Sequence, residues 1–570
     1  MDLSSRPAEC QEKLSELQKR FDFSEAELVC FELNSGTLSL AKMAAFESFL
    51  QVQRDKRVPK KPFLRTDRPL ARPLTAGPPF AGDHKRPPSQ VTTPINKRTR
   101  EAAYADDAGT PAPLPMPSHQ ISVKSSINTG NLEKTSLSQR SEVKLLGPCF
   151  WAGEEGHDAY TWMDEAISER AVRRDERLQE WEAIVTATLQ RQAEEAVVGT
   201  VGVRSQVETI LCGRISCEGL EGRLNENSML LEGSTLAGGA KVQLNVANCQ
   251  QVAAFPGQIV GVIGQSGMAG STFHAKEFLP GLPQEAQPLG ERSSLHALAV
   301  SGPFSKKDVL DFSALESVLA EVASARERPE VLIIFGPLLD SNNTKVAEGE
   351  VYLQNTEEPC TFEEVYEELF ALLGRHLLPL RQAKPPTEVL IVPALDEVLS
   401  FHPLPQPPID VSMGPFLTRR DSLEQLQRLG VRFLPNPAHL EINGIKVCLT
   451  SADLLGPMLP QLVLRPPGKK IQEALRLLLQ QRCLLPMVPR EPAQVYESRA
   501  SALDFPAGAP HLCIFPSISG LSATVADDTL FVNPGFLHKS AMAEVWIAPG
   551  SASLDERFRV DMKKLEKKES

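Results

Sequence analysis

From about residue 290 onward, short runs of consecutive apolar residues alternate with longer amphipathic stretches, and this alternation constrains the fold more than any other feature of the chain. The runs read HALAVSGP, VLIIFGPLLD, EVLIVPALDEV, IKVCLTSADLL, HLCIFPS, TLFVNPG and AEVWIAPG; between them lie SALESVLAEVASARE, FEEVYEELFALLGRHL and KKIQEALRLLLQQR. A strand with no polar residue at alternate positions has no face for water, so it is expected to be covered on both sides, which calls for a layered α/β domain. In such domains chemistry is built on the loops at the C-terminal ends of the strands. Here those loops read Ser301-Gly302-Pro303, Phe335-Gly336-Pro337, Pro393-Ala394-Leu395-Asp396, Thr450-Ser451-Ala452-Asp453 and Pro516-Ser517.

These are poor residues for catalysis. Two bridged divalent ions need several carboxylate, imidazole and amide ligands converging on one point, and Asp340, Asp396, His402 and Asp453 are the metal-competent side chains near these loops. They sit after different strands, so no complete ligand set is expected; helix capping and loop hydrogen bonds account for them. The chain has no GxxxxGK[ST] phosphate loop, no GxSxG elbow and no HExxH pair. GVIGQSG at Gly261–Gly267 reads as a turn between strands. No catalytic, metal or cofactor-binding residue is predicted, and the chain reads as non-enzymatic.

Upstream, about Thr200 to Leu282 carries QVETILCGRIS, SMLLEG, AKVQLNV and GQIVGVIG, short extended runs divided by turn signals, which suit a small OB-type barrel. Residues 205–280 hold only Phe255, Phe273 and Phe278 as aromatics, with four Lys or Arg against six Glu, a poor platform for stacking bases. Protein contact is the better expectation. Tyr160 to Ala196 lacks Gly and Pro and places Trp162, Ile167, Val172, Leu178, Trp181, Ile184 and Leu189 at near-helical spacing, so one or two amphipathic helices are predicted, with the tryptophans as packing anchors.

The first half of the chain differs in kind. Residues 8–53 show helical periodicity, with Ser24 and Glu27 as a capping box, and read as a small recruitment bundle. Between Pro59 and Ser118 thirteen of sixty residues are proline, and from Arg54 to Arg100 thirteen Lys and Arg face three Asp, a local charge of +10. With a formal charge of −12 overall, the remainder carries −22. Such an arm cannot bury enough apolar surface to offset its ordering entropy and is predicted to be a disordered tether. No run approaches the roughly 18 apolar residues of a membrane span, no basic and apolar leader opens the chain, and ten dispersed cysteines form no CxxC half-site, so an intracellular, reduced protein is expected.

The stretches FPGQIVGV, STFHAKEFLPGLP, RPEVLIIFGPLLDSNN, VPALDEVLSFHPLPQPP, EINGIKVCLTSADLL and LFVNPGFLHKS resemble, in order over roughly residues 200–540, the B subunit (second-largest, accessory subunit) of eukaryotic DNA polymerase alpha–primase. TTPINKR in the arm resembles a linker element of that family. The resemblance implies an OB domain packed on a calcineurin-like phosphoesterase domain that has lost its ligands: Ser301-Gly302-Pro303 stands where active relatives carry D-x-H, Gly336-Pro337-Leu338-Leu339-Asp340 where they carry G-D-x-x-D, and Pro393-Ala394-Leu395-Asp396 where they carry G-N-H-D. The implied partners are the C-terminal domain of the polymerase alpha catalytic subunit, the primase subunits through that complex, and replication factors through the N-terminal bundle, with little direct nucleic-acid binding and no membrane. Alternatives are the small subunit of another replicative polymerase or an active metallophosphoesterase.

The predicted organisation is a multidomain α+β chain: an N-terminal helical recruitment domain (1–57), a disordered Pro-rich basic linker (58–145), a helical segment (146–199), an OB-fold domain (200–285) and an inactive phosphoesterase-like α/β sandwich (286–570). Thr93 and Thr110, each followed by proline, are expected phosphorylation sites, and Lys85, Arg86, Lys97, Arg98 and Arg100 an expected nuclear import signal. Phosphate on Thr93 adds about −1.5 to −2 charge beside that cluster. The nucleus is the expected compartment.

Overall fold

The structure, a computed structural model, describes residues 119–128, 141–146, 165–219, 223–268, 270–282, 284, 287–352, 358–400, 402–413, 417–490 and 494–567. The N-terminal bundle and the Pro-rich arm, with Thr93, Thr110, Lys85, Arg86, Lys97, Arg98 and Arg100, lie outside them.

The apolar runs of the second half form two facing sheets. One is seven-stranded, in the order His119–Asn128, Phe558–Lys567, Ala541–Ile547, Leu295–Ser301, Val331–Phe335, Glu388–Val392, Arg432–Phe433, and its last four strands are parallel. The other is six-stranded: Ser522–Ala526, Thr529–Asn533, Leu512–Ile514, Ile445–Leu449, Ala438–Ile442, Val143–Leu146. Successive side chains point to opposite faces. Ala297, Val331, Ile333, Phe335, Leu390 and Val392 therefore meet Leu440, Val447, Leu449, Ile514 and Val532 between the sheets. Leu298, Val300, Leu332, Ile334, Val389 and Ile391 turn outward, beneath the helices Ser313–Ser324, Phe362–Gln382 and Asp421–Arg428. On the far side Cys448, Cys513 and Phe531 pack under the helix Lys470–Gln480. Helix, sheet, sheet and helix make four layers, which is why these strands read as continuously apolar.

The expected linker is corrected here. Residues 119–128 and 143–145, assigned to a disordered arm ending at 145, belong to edge strands of the two sheets, His119–Asn128 and Val143–Leu146. His119–Asn128 runs antiparallel to Phe558–Lys567 with a bulge between Val123 and Ser125, and Val143–Leu146 pairs with Ala438–Ile442. The polar composition that suggested disorder is that of edge strands that bury a few apolar side chains and leave the remaining positions to water. Ile121 and Ile127 pack inward, while Val123 is 51% exposed. The outer edge is blunted, since the Ile121 N–H is held by both carboxylate oxygens of Glu321 at 3.0 and 2.8 Å, which removes a donor that could recruit another strand. Replacing Ile127 by Asp should cost about 1–3 kcal/mol in urea unfolding, and Val123→Asp less than about 0.5 kcal/mol; equal effects would count against this pairing.

Residues 200–285 form the expected barrel. Thr209–Cys217 pairs in turn with Met229–Glu232, then Lys241–Asn245, Thr272–Leu279 and Ile259–Ser266, which closes back on Thr209–Cys217, a five-stranded Greek-key barrel. The expected turn at Gly261–Gly267 is corrected: Ile259–Ser266 is a strand. Its glycines serve close approach, since a Cβ on Gly261 would lie 2.5 Å from Val185 of the neighbouring helix, and one on Gly264 2.0 Å from the His274 carbonyl oxygen.

Among the described residues of the helical segment there is one helix, Ile167–Gln192. Leu178, Trp181, Val185 and Leu189 share one stripe against Ile210, Cys212, Ile259 and Ile263 of the barrel, whereas Ile167, Val172 and Ile184 face outward. Barrel and sheets are tied directly. Val463–Arg465 pairs with Val252–Ala254, and the buried Gln481 amide bonds the Ile259 N–H, the Ile259 carbonyl and the Pro280 carbonyl at 3.0, 2.8 and 2.9 Å. Among the described residues no helix is long and apolar enough to cross a membrane.

Candidate functional site

The strand-end loops converge on one face of the two-sheet domain, where they bond to one another. Asn436 leads into the strand Ala438–Ile442, and its Nδ2 donates to Gln406 Oε1 (2.8 Å) and Ser451 Oγ (2.7 Å) while its Oδ1 accepts from Thr450 Oγ1 (2.8 Å). Ser451 Oγ donates to the Pro393 carbonyl (2.6 Å), and Gln406 Nε2 to the Ala394 carbonyl (3.0 Å). Three loops are thus cross-linked by neutral side chains. A similar knot surrounds Asn533, whose Oδ1 accepts from Ser517 N and Gly535 N and whose Nδ2 donates to the Ser517 and Gly520 carbonyls.

Beside this network lies a buried carboxyl that sequence reasoning missed. Glu397 Oε1 accepts from Leu339 N (2.9 Å) and Tyr366 Oη (2.6 Å), and Oε2 accepts from Leu338 N (2.8 Å). These three donors pull its pKa down, but burial outweighs them and lifts it to about 7. The residue ties the loop after Val331–Phe335 to the loop after Glu388–Val392 and to the helix Phe362–Gln382.

Of the four metal-competent residues named from sequence, Asp340 and Asp396 are brought near each other. The Asp340 carboxyl is raised by burial and by Asp396, and its Oδ1 holds the Asn342 backbone N–H and side-chain amide (2.9 and 3.2 Å). Asp453 caps a turn, with Oδ1 on Leu455 N and Gly456 N and Oδ2 on Ile518 N. His402 is buried, and desolvation lowers its pKa to about 4. Among the described residues no three His, Cys, Asp or Glu side chains are grouped so as to hold a metal ion.

The site does not fit two metals for a positive reason as well. Ser301, Pro303, Pro337, Pro393, Ala394 and Ser517 bring neither carboxylate nor imidazole to the strand ends. A Cβ on Gly302 would lie 2.2 Å from the Pro337 carbonyl oxygen, so a ligand side chain at that position has no room. Gln406, Asn436 and Asn533 went unnoticed because a lone amide carries no motif, although HPLPQPP and LFVNPG contain two of them.

Of the three phenylalanines of residues 205–280, Phe273 is in the barrel core, Phe255 is buried in the cluster under the helix Lys470–Gln480, and Phe278 is half-buried.

A closed barrel fused to this two-sheet domain defines the class. Residues 297–522 match the family model for the B subunit of DNA polymerases alpha and epsilon, and residues 174–281 match the one for the OB domain of the DNA polymerase alpha B subunit. The relatives narrow the class. The DNA polymerase alpha B subunit of Rattus norvegicus is 25% identical over 484 residues (81% of this chain, 75% of the relative). The Bos taurus protein of that name is 29% identical over 294 residues (50% and 44%), and that of Schizosaccharomyces pombe 27% over 376 residues (60% and 60%). Over both matched stretches, and by these relatives, the chain is similar to DNA polymerase alpha B subunits. It spans between about half and three quarters of the length of these relatives. A solved structure of the Thermus thermophilus protein TT1561 aligns with 47% of this chain and 98% of its own at 11% identity and a TM-score of 0.22, too low to inform the fold.

Proposed function

We propose that this chain is a non-catalytic accessory subunit of the DNA polymerase alpha–primase complex, which holds the C-terminal domain of the catalytic subunit, and through it the primase, in one assembly that makes RNA–DNA primers. The two-sheet domain is read as a phosphoesterase-like lobe converted to a scaffold. The observation that carries this is the strand-end face, where Gln406, Asn436, Ser451, Asn533 and Glu397 bond the loops to one another. A hydrolase needs those loops to present ligands; a scaffold needs them rigid. The charge of −22 carried outside residues 54–100 disfavours contact with a nucleic-acid backbone by the rest of the chain. The nucleus follows from this role, with Lys85, Arg86, Lys97, Arg98 and Arg100 as the import signal, Thr93 and Thr110 as modification sites beside it, and residues 1–57 recruiting replication factors.

Co-expression of the full chain with the C-terminal domain of polymerase alpha, and separately with that of polymerase epsilon, tests the reading. The alpha domain should co-purify and bind at micromolar concentration or tighter, and the epsilon domain should not. Failure to bind the alpha domain would overturn the assignment. So would phosphodiester cleavage in Mn²⁺ that is lost in Asp340→Ala or Asp396→Ala.

A further inference from the structure

Where helix, barrel and two-sheet domain meet, a cavity of about 190 Å³ is lined by five arginines, Arg173, Arg174, Arg177, Arg214 and Arg490, against four carboxylates. All three parts of the body contribute: the helix Ile167–Gln192 supplies three arginines, the barrel strand Thr209–Cys217 supplies Arg214, and the loop before Glu497 supplies Arg490. The pairing is uneven. Glu497 is shared, accepting from Arg174 Nε and Nη2 at 3.0 and 2.8 Å and from Arg490 Nη1 at 2.7 Å. Asp504 takes Arg177, and Glu176 takes Arg173 toward the surface.

Among the described residues no carboxylate bonds Arg214. Its Nη2 donates to the Arg174 main-chain carbonyl, and Arg174 and Arg177 lie close enough to add their repulsion to the burial that lowers its pKa. Glu232, opposite Arg214 on the next strand, offsets more than the repulsion from Arg174, and Asp175 adds to it, but neither bonds the guanidinium, and burial still lowers its pKa. A desolvated guanidinium flanked by like charges is costly unless an anion joins it. Planar forks aimed from several sides suit a tetrahedral oxyanion.

We propose that this cavity binds a phosphoryl group, with Arg214 as the central contact and Arg174 and Arg490 as flanking donors. With Trp181 buried and stacked on by Arg177 and Arg482, no exposed ring in the lining would read a base, so the site recognises phosphate rather than the nucleoside it is attached to.

Calorimetric titration of the full chain with pyrophosphate, ATP and a phosphothreonine peptide tests this. Pyrophosphate should bind with a Kd below about 1 mM. Arg214→Gln should weaken binding at least tenfold, with Arg214→Lys intermediate. Glu497→Gln, which releases Arg174 and Arg490 from their shared carboxylate, should tighten binding severalfold even as it loosens the seam. The basic arm is unchanged in every variant, so its own anion binding cancels. Equal affinity for pyrophosphate and ATP would place a free polyphosphate in the site, and tighter binding of the peptide would identify a modified chain as the source. Undetectable pyrophosphate binding, or affinity indifferent to Arg214→Gln, would overturn the proposal. Should Arg214→Gln fail to fold, unchanged affinity in Arg214→Lys and Glu497→Gln together would do the same.

Discussion

Glu397→Ala should lower the unfolding free energy by about 3–5 kcal/mol in denaturant titration, because it strips three buried donors of their acceptor at once. Leu338 and Leu339 are each 1% exposed and Tyr366 is fully buried, so no water replaces the carboxyl oxygens. Glu397→Gln keeps an oxygen for Leu339 N and Tyr366 Oη but turns an amide donor toward Leu338 N, and should cost about 1–2 kcal/mol. The pH dependence has a definite sign. Burial raises the folded pKa from 4.5 to about 7, so across that window the folded chain holds a proton that the unfolded chain has released. Stability from this group is therefore full below about 4.5 and declines as pH rises to about 7, by about 3 kcal/mol in all. Glu397→Gln should remove that slope. An unchanged profile in the variant would mean that another group is responsible.

Trp181→Ala should cost a comparable 3–5 kcal/mol or so, through a different mechanism. The indole is 7% exposed and anchors the helix Ile167–Gln192 on the barrel beside Ile210, Ile259 and Ile263. Arg177 and Arg482 lie 5.9 and 5.8 Å from its ring centre, so its loss removes cation–π contacts together with buried area. Trp181→Phe, which keeps much of the apolar area, should cost roughly half as much. Because the same helix also carries Arg174 and Arg177 to Glu497 and Asp504, the alanine variant should loosen the barrel from the two-sheet domain. Limited proteolysis between residues 282 and 295 would register this as faster cleavage. A variant as stable as the parent would show that the polar seam alone holds the helix.

The layered α/β domain, the barrel and the helix between them were legible in the residues because each is a matter of local period. A run such as VLIIF admits no wet face, and the spacing of Leu178, Trp181 and Leu189 marks an apolar stripe, although Ile167, Val172 and Ile184, read with them, face outward and Val185 fills the stripe instead. That Ser301, Gly302 and Pro303 carry neither carboxylate nor imidazole was equally readable, since side-chain chemistry does not depend on where a residue points. Three features escaped this reading. HQISVKSSIN looks like more of the polar arm until Phe558–Lys567, more than 400 positions away, offers its edge. Gly261 and Gly264 look like turn residues until the Val185 side chain and the His274 carbonyl are seen to press against them. Glu397, one acid among many in PALDEV, acquires its role only because Leu338, Leu339 and Tyr366 arrive from other elements to donate to it. Periodicity and residue chemistry are properties of neighbouring positions, so they can be read along the chain. Edge pairing, close backbone approach and the desolvation of a carboxyl depend on atoms remote in sequence, and the folded packing alone brings those atoms within reach.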